Sequence, residues 1–272
     1  MKYHILALAL ILIACAPTVQ PTPEFERAPS LAPSATVLPI IPQENPEAFV
    51  GRSDPTAAAL AAEGHPSQDP PQAAQATEQS IPITVVAEDG TVLASQYFGA
   101  SAEVTVVILH DEDGDTESLM ALGAALQGGG FNVMVLSMRG YSPSRGQVDW
   151  TMAASDAFSG IESVLALPNM TQVALLGTGR SASAAMRACS QHPLCAAAIV
   201  LNPAPDPASD PISEVAAGLG TRPLLILVGQ DRADAGQNAQ IIQSGTGGTA
   251  TLQTFLDQTT VSTSILAWLS NE

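Results

Sequence analysis

From Ile81 to the end of the chain, short runs of β-branched and apolar residues alternate with longer stretches in which apolar residues recur every three or four positions. The runs are Ile81 to Ala87, Val92 to Phe98, Val104 to Leu109, Phe131 to Leu136, Gln172 to Leu176, Ala197 to Leu201, Leu224 to Val228 and Ala250 to Phe255. Short apolar runs bounded by turn residues read as core strands of a mostly parallel sheet. The first two flank Glu88-Asp89-Gly90-Thr91, whose Asp-Gly step predicts a hairpin. Four helices are marked by Leu119, Leu122 and Leu126; by Ala154, Phe158, Ile161 and Leu165; by Ala182, Ala185, Met186 and Cys189; and by Val261, Ile265, Trp268 and Leu269. Each presents one apolar face that a sheet can cover. Gly128-Gly129-Gly130 ends the first as a left-handed cap would, and Pro168 stops the second. The expectation is an α/β domain over residues 81–272, an eight-stranded, mostly parallel sheet with helices on both faces. About 190 residues suffice for a sizeable single core.

Residues 16–80 show no sustained apolar period and hold twelve of the 21 prolines. A segment so poor in apolar area cannot offset its ordering entropy, so a disordered, extended linker is expected. As a flexible coil it would span roughly 45 Å root-mean-square, more with proline stiffening. Only Ala57 to Glu63 has the composition for a turn or two of helix, too short to be stable alone. Ahead of it, Met1-Lys2-Tyr3-His4 precedes the apolar stretch Ile5 to Ile13, about half of what spans a hydrocarbon core, and reads as an export signal over residues 1–14. Leu12-Ile13-Ala14-Cys15 resembles the bacterial lipobox. That resemblance implies a fatty-acylated Cys15, a membrane as partner through that lipid, and an extracytoplasmic location on the cell membrane or outer membrane. Residues 15–80 then form the lipidated cysteine and its tether. Ala16 is not the aspartate that marks inner-membrane retention in such signals, which favours an outer location in a cell with two membranes.

Charge narrows the function classes. Lys2 is the only lysine, and the formal net charge is -17. Without lysine there is neither a Schiff-base amine nor a phosphate-loop lysine. Nucleic acid and anionic lipid surfaces are poor partners for so acidic a chain. Cys189 and Cys195 are the only cysteines besides Cys15. Export would allow a bridge between them, closing a loop worth about 2 kcal/mol, while two buried thiols are the other reading. His192 lies between them, but three such ligands in one short loop do not define a zinc site.

The domain resembles the α/β-hydrolase family over nearly all of residues 81–272. Val107-Ile108-Leu109-His110 is similar to the strand that leads into that family's oxyanion loop, and Ser137-Met138-Arg139-Gly140-Tyr141-Ser142-Pro143-Ser144 to its Asp-x-Arg-Gly-x-Gly-x-Ser segment. Leu176-Gly177-Thr178-Gly179-Arg180-Ser181-Ala182 stands where the nucleophile elbow belongs, and Leu225-Ile226-Leu227-Val228-Gly229-Gln230-Asp231 where the strand bearing the acid belongs. The short connection from Ala204 to Thr221 leaves no room for a large lid.

The catalytic positions are degenerate. The elbow pattern is small-x-nucleophile-x-small because the tight turn tolerates no bulk. Here it reads Gly177-Thr178-Gly179-Arg180-Ser181, and glycine offers no attacking atom. Shifting the frame by two residues recovers Ser181 as an alternative nucleophile, at the cost of a longer strand and a rotated helix face; a small residue permitting close helix-to-sheet approach is the preferred reading of Ser181. The histidines are His4, His65, His110 and His192, none after the last strand, where only Leu256, Asp257 and Gln258 separate Phe255 from the final helix. Asp231 falls one residue early for the family's acid, with Arg232 in the expected place. From His110 to Glu117 the oxyanion loop carries five carboxylates, which oppose charge developing on a substrate oxygen. Those carboxylates do not make a calcium loop: Gly114 comes two places early and the twelfth position is Leu122. Gly177-x-Gly179-x-x-Ala182 also fits a dinucleotide fingerprint, but no ribose-binding acid follows, since the next strand ends at Leu201-Asn202. The expected function is therefore non-catalytic binding or scaffolding around a residual pocket of His110, Asp111, Gly179 and Arg180. It needs no cofactor or metal, and its ligand is a small molecule or a protein. A serine hydrolase using Ser181 with a non-standard base is the alternative.

Overall fold

A computed structural model of the chain describes residues 80–113, 116–246 and 250–271. The signal segment, Cys15, the proline-rich stretch, His4 and His65, together with Gly114 and Asp115, lie outside the described residues. No helix among the described residues is long and apolar enough to cross a membrane.

The described residues open with a hairpin of β1 (Ser80–Val86) and β2 (Val92–Phe98), joined by a turn in which Gly90 takes φ +82°. β3 (Val104–Leu109), α1 (Thr116–Gly128) and β4 (Asn132–Leu136) follow. A single 3-10 turn at Trp150–Met152 leads into α2 (Ala153–Leu165). Next come β5 (Gln172–Thr178), α3 (Ser181–Gln191), β6 (Cys195–Leu201) and α4 (Ile212–Ala217). β7 (Leu224–Gly229), α5 (Ala233–Gly245), β8 (Ala250–Phe255) and α6 (Gln258–Leu269) complete the fold. The eight strands form one sheet in the order β1-β2-β4-β3-β5-β6-β7-β8. β2 runs antiparallel to both its neighbours, and every pair from β4 through β8 is parallel.

Alternation along the strands divides the core into two layers. Val107, Leu109, Leu175, Val200 and Ile226 face α2 to α5, whereas Val106, Ile108, Leu176, Ile199 and Leu225 face α1 and α6. Two of these helices, α4 and α5, go beyond the four that the periodicity marks. α5 buries only Ala235, Ala239 and Ile242, too small an apolar stripe to register in a sequence otherwise polar. The first glycine cap also differs in detail: α1 continues through Gly128, and it is Gly130 that turns left-handed, at φ +97°.

α3 lies very close to β5. A Cβ at Gly177 would stand 2.5 Å from the Ser181 carbonyl oxygen, so only glycine permits this approach. The far end of α3 is tied to β6 by a disulfide between Cys189 and Cys195, whose Cα atoms are 5.1 Å apart. Because β3 has β4 on one side and β5 on the other, the strand order reverses there. Crevices for ligands form at the carboxyl ends of strands at such a switch point.

Candidate functional site

The carboxyl end of β5 turns into α3 through Gly179 and Arg180. Gly179 has φ +53°, a left-handed conformation costly to residues with a side chain. Its N–H donates to Leu201 O at 2.9 Å and its carbonyl accepts from Ala204 N at 2.9 Å, which fixes the turn between β5 and the segment after β6. Gly179 is therefore the vertex of the elbow, and the strand ends at Thr178, not two residues later.

That register decides the position of Ser181. Its side chain is fully buried, and its Oγ accepts from Thr178 N–H at 2.9 Å. The same oxygen lies 3.0 Å from Leu109 O and 2.9 Å from Thr178 O, to which its single proton can be donated. Ser181 thus stitches the ends of β3 and β5 together and is directed away from solvent. The shifted frame that would make it a nucleophile does not occur.

The place that a side chain at residue 179 would take is filled from another strand. An ideal Cβ on Gly179 would lie 1.7 Å from Asp111 Oδ2. The other carboxylate oxygen, Asp111 Oδ1, accepts from the backbone N–H of Arg180 at 2.9 Å and of Glu112 at 2.7 Å. One of these N–H groups follows the vertex and the other belongs to the β3–α1 loop. Here both are engaged by the chain's own carboxylate.

Arg180 closes this corner. Its Nε donates to Asp206 Oδ1 and its Nη1 to Glu112 Oε2, each at 2.7 Å, while the guanidinium carbon stands 4.6 Å from the ring centroid of Trp150. Burial works against the charge, but the hydrogen bonds to Glu112 and Asp206 outweigh it and raise the guanidinium pKa above its ordinary value. The clamp joins the β3–α1 loop, the segment after β6 and the turn before α2. Sequence reasoning missed Asp206 and Trp150, since nothing local marks either as a partner of residue 180.

Of the described histidines, His110 has both ring nitrogens within hydrogen-bond distance of backbone atoms, and His192 stands at the far end of α3. His110 is 1 % exposed; its Nε2 accepts from Met138 N–H at 2.9 Å, which assigns the proton to Nδ1, 2.7 Å from Asp111 O. Both ring nitrogens thus hold loops in place. His192 caps the opposite end of α3, about 16 Å along an eleven-residue helix, and pairs with Glu162 at 2.8 Å. At the other end of the sheet, β8 is followed by Leu256 and Asp257 alone before α6 begins.

A cleft of about 560 Å³ opens over the carboxyl ends of β5, β6 and β7. Asp111, Gly179 and Asp231 line it, with Asn202, Arg232, Asp234 and Asn238. Of the four residues expected around a pocket, Asp111 and Gly179 line this cleft, whereas His110 is buried against Met138 N–H and Arg180 turns to Glu112 and Asp206. Asn202, unforeseen, holds φ +47° and accepts from Gly229 N–H through Oδ1 at 2.8 Å, joining the ends of β6 and β7. Among the described residues no group of three or more His, Cys, Asp or Glu side chains is placed to hold a metal ion.

In sequence, the chain matches no protein-family model and no curated protein. In structure, it is similar to an esterase of Pyrococcus furiosus, Pf2001, at a TM-score of 0.62 and 13% identity, over 73% of this chain and 94% of that one. It is similar to the α/β hydrolase GrgF of a Penicillium species at 0.61 and 13%, over 70% and 96%. Ferulic-acid-bound Est1E of Butyrivibrio proteoclasticus gives 0.57 and 16%, over 70% and 98%. The domain has the α/β-hydrolase fold, shared with these proteins at low identity.

Proposed function

We propose that this chain is a lipid-anchored extracytoplasmic protein whose α/β-hydrolase-fold domain binds a ligand without cleaving it. The observation that carries the reading is the elbow vertex, where Gly179 has no attacking atom and Asp111 fills the space in front of the two N–H donors. Acyl transfer needs a nucleophile, a base within reach and a free oxyanion site. A cleft of about 560 Å³ is in the range that holds small molecules. Three carboxylates, Asp111, Asp231 and Asp234, face one guanidinium, Arg232, which favours neutral or cationic ligands over anions. The Cys189–Cys195 bridge is consistent with an oxidising compartment, and the acylated Cys15 supplies the attachment.

The test is a fluorophosphonate probe applied to the full chain, together with hydrolysis of a short activated ester by the wild type and by Gly179→Ser at high enzyme concentration. No labelling and no serine-dependent turnover are expected, because a serine without a base is a weak nucleophile. Labelling of Ser181, or turnover abolished by changing His110 or His192, would establish a hydrolase instead. For the anchor, Cys15→Ala is expected to leave the membrane fraction; a variant that still pellets after salt and carbonate washes refutes it.

A further inference from the structure

We propose that the elbow of this domain is a carboxylate-binding site which Asp111 occupies in place of the side chain that Gly179 lacks. Two features of one placement, that of the Asp111 side chain, meet there. One is shape: the Asp111 carboxylate overlaps the volume that any substituent on Gly179 would need, with Oδ2 at 1.7 Å, Cγ at 2.1 Å and Oδ1 at 2.6 Å from an ideal Cβ. The other is hydrogen bonding: the N–H groups of Arg180 and Glu112, from loops 68 residues apart in sequence, converge on one oxygen, Oδ1, at 2.9 and 2.7 Å. Asp111 is half-buried and also lines the cleft, so the filled site opens directly onto the larger volume.

Side chain at 179 and carboxylate at 111 are therefore mutually exclusive, and Asp111 acts as a ligand held in cis. While it is seated, an anionic group entering the cleft finds both donors taken and a fixed negative charge in front of them. With it removed, the same donors are left for a carboxylate from solution. This inference does not depend on the lipid anchor or on the natural ligand of the cleft.

The experiment compares the full-length wild type with Asp111→Ala in acetate and in chloride at equal ionic strength. Acetate is expected to raise the Tm of Asp111→Ala saturably, by roughly 5 °C at about twentyfold its Kd, and to leave the wild type unmoved. A Gly179→Ala change is expected to lower Tm at least twice as far in the wild type as in the Asp111→Ala background, because only the wild type must also evict the carboxylate. Equal acetate responses in the two proteins, no acetate response in Asp111→Ala, or equal costs of Gly179→Ala in both backgrounds would each overturn the proposal. Should Asp111→Ala fail to fold, Asp111→Asn keeps the shape and the acceptor oxygen but not the charge. Its Arg180 amide proton is then expected to resonate upfield of the wild-type position, and an unmoved resonance counts against a carboxylate seated there.

Discussion

At the β3–β5 end of the cleft, the parts of a tight strand-to-helix turn are in place: Gly177 under the helix, left-handed Gly179 at the vertex, and Ser181 binding Leu109 O and Thr178. At the β7–β8 end stand Asp231, exposed on the rim, and the short turn of Leu256 and Asp257. The difference is one of mechanical duty. Residues at the elbow hold α3 against the sheet whatever chemistry takes place there. Asp231 and Leu256 at the other end are exposed and hold no helix against the sheet.

Substitutions at the two ends should separate accordingly. Gly177→Val is expected to do the most damage, because its Cβ would meet backbone atoms of Ser181 and Ala182 that cannot step aside. Overpacking of this kind costs about 3 kcal/mol, or roughly 10 °C in Tm by thermal unfolding. A smaller loss comes next with Ser181→Ala, which leaves the Thr178 N–H buried without its acceptor; about 2 kcal/mol and no change in any activity are expected. If Ser181→Ala were neutral in stability, the stitching role would be wrong.

On the other side, Asp257 caps α6 by accepting from Thr260 N–H at 2.8 Å. The backbone and hydroxyl of Thr260 hold its carboxyl below the usual carboxylate range. A depressed folded value contributes stability that is fully present above the unfolded value, near 3.9, and is lost as pH falls through the folded one. The Tm gap between wild type and Asp257→Ala should therefore be widest near neutrality and close as the solution is acidified below about pH 4. A gap that widened in acid would reverse this assignment. The least effect is expected from Asp231→Ala, an exposed change with no hydrogen bond or ion pair described for its side chain, and an unshifted Tm checks it. Were it to cost as much as Gly177→Val, the contrast between the two ends would collapse.

The strands and the frame of the elbow were legible because they depend on local pattern: continuous apolar runs such as Val104 to Leu109, and small residues at 177, 179 and 181. α5 escaped notice because alanines carry its buried stripe. The occupant of the elbow was beyond sequence reading for another reason. Sequence places Asp111 among five carboxylates in a loop and beside Gly179 in an expected pocket, but its fit to Gly179 arises from two strand ends brought together by the sheet. A glycine at the vertex leaves space beside it, but sequence does not say what takes it.

The clamp on Trp150 also gives the protein a native optical reporter. The chain has two tryptophans. Trp268, on α6, sits 7 % exposed in the core layer on the sheet face opposite α2 to α5, and supplies a constant background. Trp150 carries the Arg180 guanidinium on its ring, so its emission senses whether that cation is seated. Loosening of the three segments that Arg180 joins can thus be followed by intrinsic fluorescence in the unlabelled chain, with Arg180→Met as the reference for the open clamp.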